Sequence, residues 1–460
     1  MARRRDRASV VEEATRRSAG AGRRVQLGPD QIVRTEWETD RAILVGLARD
    51  HGRVAIEEES LDELSALAAT AGAETVERFL QVREAPHAAT YVGRGKIEAI
   101  RAAADLHDAT LVVFDDELAP AQQRNLEEAL GGRRVLDRTQ LILDIFAMHA
   151  TTAEGKVQTE LAQLHYRLPR LRGRGAYLSR LGAGIGTRGP GETVLEVDRR
   201  RIGERIKRLS GQLAELDRTR MTKRKGRRAS GLAQWSLVGY TNAGKSTLLN
   251  QLTDAGVLVE DKLFSTLDTT VRRLELPGAR RVLVSDTVGL VAKLPHDLVR
   301  AFHSTLEEVA EADLVVHVVD ASGADPMGHV EVTREVLRDV GAQDVAEVVV
   351  WNKVDRADPG TVGHLLATVP GSVAISASTG EGVDKFLEAA WARQNAAHPV
   401  VDLEIPYADA GVLARLRAAG EVLQEEHGSA GSRVRVRLEP AEAYRWSTYL
   451  VGDDVSEDLA

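Results

Sequence analysis

The residues Gly239-Tyr240-Thr241-Asn242-Ala243-Gly244-Lys245-Ser246 have the spacing of a P-loop, in which glycines let the backbone curve around phosphate groups. The residues Trp235-Ser236-Leu237-Val238 before them are typical of a strand, and Thr247-Leu248-Leu249-Asn250 after them are typical of a helix. Amides at such a helix N-terminus hold phosphate oxygens, and the lysine offsets their charge. Patterns typical of strands and of helices alternate up to about residue 392. We therefore predict a doubly wound, mostly parallel nucleotide-binding domain over 230–398 with phosphate contacts from 239–247.

A second motif predicts which base this domain binds. Asn352-Lys353-Val354-Asp355 follows the apolar run 348–351. A carboxylate such as that of Asp355 accepts hydrogen bonds from both N1–H and the 2-amino group of guanine, and adenine lacks this pair of donors. Ser376-Ala377-Ser378 follows another short apolar run and is expected to close over the base through its backbone. The order of these motifs after the P-loop predicts a GTP site.

Between the two motifs lie candidates for binding Mg²⁺ and for sensing the γ-phosphate. Asp286 begins Asp286-Thr287-Val288-Gly289 at the end of an apolar strand, and we expect it to hold Mg²⁺ through water. Ser246 and Thr266 are the candidate direct ligands, although an ordinary Ser/Thr turn is the alternative for Thr266. We assign catalytic roles to Lys245, Thr266 and Gly289. The P-loop, the segment that contains Thr266, the motif 286–289 and the motif 352–355 follow one another in the order of the translation-factor class of P-loop GTPases, which the sequence resembles.

Leu290, directly after Gly289, stands where small GTPases that resemble Ras have a glutamine. Leucine cannot orient a water molecule, so we expect slow hydrolysis by the isolated protein. Two hypotheses stay open for what completes the site. One is a monovalent cation such as K⁺ bound by Asn242, as in potassium-activated GTPases of the TrmE type. The other is a large partner that reshapes the site.

The composition of the 460-residue chain is that of a globular protein, with 43% hydrophobic residues, 28% charged residues and no cysteine. The lack of cysteine excludes disulfides and thiolate metal sites and favours a reducing cytosol. No apolar run approaches the ~20 residues of a membrane span, so we expect a cytoplasmic protein. Strand-length apolar runs alternate with helical stretches over 39–152, which predicts an N-terminal α/β domain with a parallel sheet. We also predict a flexible basic tail over 1–38 and a small α+β domain over 399–460.

Positive charge is concentrated between Glu154 and Arg228, where 20 Lys and Arg face 8 Asp and Glu, although the net charge of the chain is −8. Apolar residues recur there at helical spacing on both sides of a connector, which predicts an antiparallel coiled-coil hairpin over 153–229. We interpret 222–230 as a basic hinge. The loop 172–191 has seven glycines and four arginines, which suits contact with phosphodiesters, with a flexible linker as the alternative. Its candidate RNA-binding residues are Arg172, Arg174, Arg180 and Arg188.

Five motifs outside the P-loop domain make residues 40–450 resemble the HflX family of ribosome-associated GTPases. They are Tyr91-Val92-Gly93-Arg94-Gly95-Lys96, Pro120-Ala121-Gln122-Gln123-Arg124-Asn125-Leu126-Glu127, Asp137-Arg138-Thr139, Glu154-Gly155-Lys156 with Glu160-Leu161-Ala162-Gln163-Leu164, and Gly186-Thr187-Arg188-Gly189-Pro190-Gly191-Glu192-Thr193. The last motif is highly specific. Two positions depart from the family pattern: Val194 replaces a glutamine and Thr269 replaces a proline.

The resemblance implies a Mg²⁺-dependent GTPase that binds GTP and GDP, the large ribosomal subunit and the 70S ribosome. It further implies GTP-dependent splitting or rescue of stalled ribosomes under stress, with hydrolysis stimulated by the ribosome and the loop 172–191 reaching toward the peptidyl-transferase region. We expect a monomer, partly ribosome-associated. Two alternatives stay open: a ribosome-assembly GTPase, and an rRNA-remodelling enzyme whose first domain binds ATP through 93–96. For 93–96, a tight turn capping a helix over 97–106 is the simpler interpretation.

Overall fold

The computed structural model describes residues 23–27, 33–37, 39–171, 194–228, 232–253, 263–264, 270–276, 280–287, 289–291, 293, 308–396, 398–438 and 440–451. The chain divides into two compact units. One unit comprises Met1–Met148 with Gln163–Glu204, and the other His149–Ala162 with Arg205–Ala460. Each unit contains a mostly parallel sheet, which confirms the multidomain α/β fold. The finer domain boundaries given above stay predictions.

Two short strands lie within the segment that we expected to be a tail. They are β1 (Arg23–Leu27) and β2 (Val33–Trp37), which pair antiparallel. A regular strand pair departs from the expectation of a tail over 1–38. The other residues of that segment lie outside the described part of the chain.

The N-terminal domain contains a four-stranded parallel sheet in the order β4-β3-β5-β6. Its strands are β3 (Asp40–Ala48), β4 (Ala73–Val82), β5 (Leu111–Phe114) and β6 (Arg134–Asp137). Its helices are α1 (Val54–Thr70), α2 (Arg94–Leu106), α3 (Pro120–Ala129) and α4 (Arg138–His149). All four residues of β5 are buried, as expected of a central parallel strand covered on both faces. The sequence prediction of a parallel sheet is confirmed.

The next two helices are α5 (Ala153–Arg170) and α6 (Val194–Arg228), the latter 35 residues long. Arg205 of α6 donates Nε–H to Oε1 of Glu160 at 2.7 Å and Nη2–H to Oε2 at 2.6 Å, so an ion pair with two hydrogen bonds joins the helices. The interpretation of 222–230 as a hinge is wrong for 222–228, because the helix continues to Arg228. Lysine and arginine are good helix formers, so a run of them does not by itself end a helix.

The P-loop domain has a six-stranded sheet in the order β12-β11-β10-β7-β9-β8, parallel except for the pair β8–β9. The strands are β7 (Ala233–Val238), β8 (Thr270–Leu276), β9 (Arg280–Asp286), β10 (Leu314–Asp320), β11 (Glu347–Asn352) and β12 (Val373–Ala374). The helices are α7 (Lys245–Thr253), α8 (Pro326–Asp339), α9 (Pro359–Thr368) and α10 (Val383–Asn395). The predicted doubly wound, mostly parallel sheet is confirmed.

Two helices of this domain begin with the same local signal, an aspartate followed by proline. Asp325 accepts a hydrogen bond from the amide of Gly328, and Asp358 accepts one from the amide of Thr361. These caps satisfy amides that lack a partner in the first helical turn, and proline at the first position needs no donor. Both helix starts are therefore encoded locally.

The C-terminal domain is a small α+β unit. Its antiparallel strands β13 (Val400–Pro406), β14 (Glu421–His427) and β15 (Gly431–Arg437) lie in the order β13-β15-β14. The helices α11 (Ala410–Ala419) and α12 (Pro440–Arg445) complete it, and its buried core includes Leu403, Leu416 and Val436. Across the described residues, no helix has both the length and the apolar composition of a membrane span.

Candidate nucleotide site

The P-loop connects β7 to α7, and two of its glycines are required by close backbone contacts. At Gly239 φ is +143°, and a Cβ would lie 2.1 Å from the carbonyl oxygen of Val318. At Gly244 φ is +96°, and a Cβ would lie 2.2 Å from Nδ2 of Asn352. Asn242 also has a positive φ, of +59°. Only glycine fits at 239 and 244, so the motif is explained by this packing.

Lys245 is the first residue of α7, and its side chain is buried. Its ammonium group donates to the carbonyl oxygens of Gly239 at 3.1 Å and Tyr240 at 2.9 Å. Burial lowers the pKa of Lys245 to about 8, against the opposing effect of Asp286. A desolvated cation gains more from an anion than an exposed one does. The P-loop therefore has an electrostatic preference for phosphate.

Ser246 and Asp286 bring two oxygen ligands together beside the loop. The hydroxyl of Ser246 donates to Oδ2 of Asp286 at 2.7 Å, and Asp286 is the buried last residue of β9. The next residue, Thr287, donates its hydroxyl to the carbonyl of Leu237 and so ties this segment to β7. Hydroxyl and carboxylate oxygens next to a phosphate-binding lysine are ligands that suit Mg²⁺. The donor set fits that ion.

The backbone after Asp286 pairs directly with the P-loop. The amide of Thr241 donates to the carbonyl of Leu290 at 2.7 Å, and the amide of Leu290 donates to the carbonyl of Gly239 at 3.1 Å. A Cβ on Gly289 would lie 2.7 Å from Cγ2 of Thr241. The Leu290 side chain is buried in a cluster with Val238 and other apolar residues. The Leu290 side chain thus contributes to packing, and the expectation that it does not orient water stays a prediction.

Asn352 links the P-loop to the loop that is predicted to bind the base. Its Nδ2 donates to the carbonyl of Ala243 at 2.8 Å, and its Oδ1 accepts from the amide of Ala377 at 2.9 Å. Lys353, with φ +63°, donates its ammonium to Asp320 at 2.6 Å. The structure therefore brings 239–246 and 376–378 together, although they are far apart in sequence.

Asp355 and the serines complete this end of the site. The Asp355 side chain is 27% exposed, which leaves its carboxylate accessible to a ligand. The hydroxyls of Ser376 and Ser378 lie 3.0 Å apart, and the amide of Val354 donates to the carbonyl of Ile375. The roles of these residues in base recognition stay predictions.

Several predicted residues lie outside the described part of the chain. They are Thr266 and the four loop arginines, Arg172, Arg174, Arg180 and Arg188. The segment 93–96 is described, and α2 begins at Arg94, three residues earlier than the expected start at 97. Gly93 caps the helix and 94–96 form its first turn, so the segment is not a loop that surrounds phosphate.

One contact of the P-loop was not predicted from the sequence. The ring of Tyr240 stacks on the imidazole of His329 in α8, with ring centroids 4.0 Å apart and an interplanar angle of 12°. The Tyr240 carbonyl also accepts from Lys245, so the stack fixes a residue that positions the lysine. No local signal connects two residues that are 89 positions apart.

We expect His329→Ala to raise KM for GTP about three- to tenfold with little change in kcat, since an aromatic pair is worth ~0.5–1.5 kcal/mol. Steady-state hydrolysis by the purified variant measures this. His329→Phe should restore KM because it keeps a ring, and His364→Ala, at an exposed position of α9, is the control. An unchanged KM in His329→Ala would show that the stack does not position the loop.

A buried histidine in the central strand predicts how stability depends on pH. His317 in β10 is fully buried and contacts Glu347, with Nδ1 2.8 Å from Oε1, while Arg334 donates to the same carboxylate. Burial lowers the pKa of His317, so the unfolded chain binds a proton near pH 6.5 that the folded chain does not. Stability therefore falls as pH drops below about 6.5 and continues to fall toward the lower folded pKa.

We expect the protein to lose unfolding free energy between pH 7.5 and 5.5, because the unfolded chain takes up a proton at this histidine over that range more readily than the folded chain does. Denaturant unfolding at both pH values measures the loss, and His317→Leu should reduce it. His364→Leu at the exposed position is the matched control. The same pH dependence in wild type and His317→Leu would refute the assignment.

Three family models match successive parts of the chain. They are described as "GTP-binding GTPase N-terminal" for residues 58–147, "GTP-binding GTPase Middle Region" for 149–227 and "50S ribosome-binding GTPase" for 234–353. GTPase HflX of Lacrimispora saccharolytica is 47% identical over 90% of this chain and 97% of its own length. The chain belongs to the HflX family of GTPases. HflX of Escherichia coli is 40% identical over 83% of this chain and 90% of its own length.

Family membership confirms the resemblance found in the sequence, and the protein is accordingly a GTP-binding GTPase. Among solved structures, a GTP-binding protein from Sulfolobus solfataricus in complex with GDP matches 77% of this chain and 99% of its own. The TM-score of that match is 0.41 and the identity 22%. The HflX assignment rests on the sequence relatives and on the three family models.

Proposed function

We propose that this HflX-family GTPase binds the large ribosomal subunit and, in its GTP state, splits or rescues stalled 70S ribosomes under stress. The observation that carries the proposal is the match of 234–353 to the model described as "50S ribosome-binding GTPase". The basic segment 154–228 supports it independently, because its excess of twelve positive charges favours a polyanion. We place the protein in the cytoplasm, partly on ribosomes.

In this proposal GTP lies along the P-loop with its base at Asp355. Backbone amides of 239–244 and the Lys245 ammonium hold the phosphates, while 376–378 close over the guanine. Ser246 and Thr266 coordinate Mg²⁺ and Asp286 holds it through water, and the bound ion supplies charge neutralisation for phosphoryl transfer. The 2.7 Å contact between Ser246 and Asp286 supports the metal assignment.

Hydrolysis in this proposal needs help from outside the chain. Leu290 is buried and cannot orient water, so Thr266 and the Gly289 amide sense the γ-phosphate while the ribosome completes the site. K⁺ bound by Asn242, whose φ is +59°, is the competing candidate. Equal turnover in K⁺ and Na⁺ buffers, without ribosomes, would rule out the cation.

We propose that Arg172, Arg174, Arg180 and Arg188 contact rRNA phosphates at the loop of the hairpin. The test uses purified ribosomes in sucrose gradients at moderate salt, with the protein loaded with a non-hydrolysable GTP analogue or with GDP. We expect co-sedimentation with large subunits in the analogue state, and an increase of free subunits from 70S ribosomes.

A variant with the four loop arginines changed to Gln should lose co-sedimentation but keep intrinsic GTPase activity. The control changes four exposed arginines outside the hairpin, Arg94, Arg101, Arg272 and Arg338. Absence of co-sedimentation in the analogue state would refute ribosome association. Co-sedimentation without an increase of free subunits would refute splitting and favour the assembly alternative.

A further inference from the structure

We propose a second ligand site, distant in sequence from the P-loop, that binds a compact and multiply charged oxyanion through its phosphate groups. The site is a pocket of about 490 Å³, which we call the arginine pocket. Among the described residues, its polar lining residues are Arg124, Arg134, Arg167, Arg170, Gln123, Gln140, Glu127 and Tyr166. All of them belong to one compact unit, the one that holds the N-terminal sheet.

The pocket joins segments that are separate in the sequence. Gln123 and Arg124 come from α3, Gln140 from α4, and Arg167 and Arg170 from the last turn of α5. Two of the motifs by which the chain resembles its family lie at this pocket. The motif 120–127 lines it, and Asp137 of the motif 137–139 bonds the lining residue Arg170. The nucleotide chemistry described above uses neither of them. A volume of this size falls in the range of roughly 300–1,000 Å³ that small-ligand pockets occupy.

One wall of the pocket is held rigid by hydrogen bonds. Arg170 donates Nη2–H to Oδ2 of Asp137 at 3.2 Å and to the carbonyl of Leu118 at 2.8 Å, and Nε–H to Oε1 of Gln123 at 3.2 Å. Gln123 in turn donates to the carbonyl of Val135 at 2.7 Å. A pre-positioned wall costs little conformational entropy when a ligand binds.

The charges on the pocket favour an anion. Among the described residues, the side chains of Arg124 and Arg167 form neither an ion pair nor a hydrogen bond, although the charge of Arg167 interacts with the carboxyl group of Asp144. Asp137 offsets the charge of Arg170, and Asp40 lies 3.5 Å from Arg134. Among the described lining residues, Glu127 is the one carboxylate. Four arginines set against Glu127, Asp137 and Asp40 leave one net positive charge, and guanidinium groups bind phosphate oxygens in pairs.

The aromatic content of the pocket argues against a nucleotide. Tyr166 is the one aromatic residue among the described lining residues, and the Arg170 guanidinium lies 3.4 Å from its ring centroid. That face of the ring is therefore already occupied and does not stack with a base. A ligand with concentrated charge and no base, such as pyrophosphate, fits these walls better than a nucleotide does.

The test uses the full-length protein saturated with Mg²⁺ and GDP, so that the P-loop is filled, and titrates it with pyrophosphate by isothermal calorimetry. We expect saturable 1:1 binding. The double variant Arg124→Gln/Arg167→Gln should weaken it about tenfold or more, because it removes two charge-assisted contacts. The matched control Arg94→Gln/Arg101→Gln removes the same charge from exposed positions of α2.

Absence of saturable binding, or equal affinity in wild type and Arg124→Gln/Arg167→Gln, would overturn the proposal. Circular dichroism and intact GDP binding by the double variant show that it is folded. Competition by a short RNA without terminal phosphates would identify a phosphodiester as the source of the bound group. Binding of pyrophosphate without such competition would identify a free phosphate compound. Either result supports the site, and neither depends on ribosome binding.

Discussion

Asp355→Asn should convert the protein from a GTP-selective to a xanthosine-triphosphate-selective enzyme. The amide can donate to the 2-oxo group of xanthine, but it cannot accept from both donors of guanine. We expect GTP affinity to fall on the order of 10²–10³-fold, less than the 10⁴–10⁵ of fully enclosed polar sites, because the Asp355 side chain is 27% exposed. Competition of both nucleotides against a fluorescent GDP analogue measures the change.

The control for this substitution is Asp384→Asn, at an exposed position in the first turn of α10. It removes the same charge from the same domain and should leave base preference unchanged. Guanine selectivity that survives in Asp355→Asn would mean that another group recognises the base.

Lys245→Ala should reduce kcat/KM for GTP by about 10³-fold, since one cationic donor aimed at the reacting phosphate is worth roughly that much. The fold should survive. Burial has already lowered the pKa of this lysine to about 8, so removing the ammonium relieves a desolvation cost. The free energy of unfolding is therefore expected to stay the same or to rise.

Combining hydrolysis and unfolding measurements separates a lost contact from a damaged fold. Lys385→Ala, at an exposed position of α10, is the matched control. Hydrolysis within tenfold of wild type in Lys245→Ala would contradict the assignment of the P-loop. ATP hydrolysis that persists in this variant would instead indicate a second nucleotide site, the alternative considered for the N-terminal domain.

The features that depend on local residue spacing could be predicted from the sequence. The P-loop, its flanking strand and helix, and the parallel sheets follow from short-range patterns, and the structure has them where expected. The structure explains why positions 239 and 244 are glycines: backbone or side-chain atoms occupy the space that a Cβ would need. The helix starts at Pro326 and Pro359 are likewise encoded by the residue before each.

Features that depend on distant residues were not predictable. The start of α2 at Arg94 was missed because a glycine-rich segment was predicted to form a turn, whereas 94–96 form the first turn of the helix. The buried ion pair of Arg138 with Asp115 joins positions 23 apart, and both look like surface charges in the sequence. The stack of Tyr240 on His329 and the arginine pocket exist only once the chain has folded.

The two hydrogen bonds of Asn352 have a consequence for ligand length. The side-chain amide of Asn352 bonds both the carbonyl of Ala243 in the P-loop and the amide of Ala377. It therefore fixes the distance between the segment proposed to hold the phosphates and the segment proposed to hold the base. In the proposed binding mode, a guanosine compound whose linker is too short or too long cannot contact both segments at once, however well each end fits by itself. We therefore expect the protein to select ligands by length as well as by base.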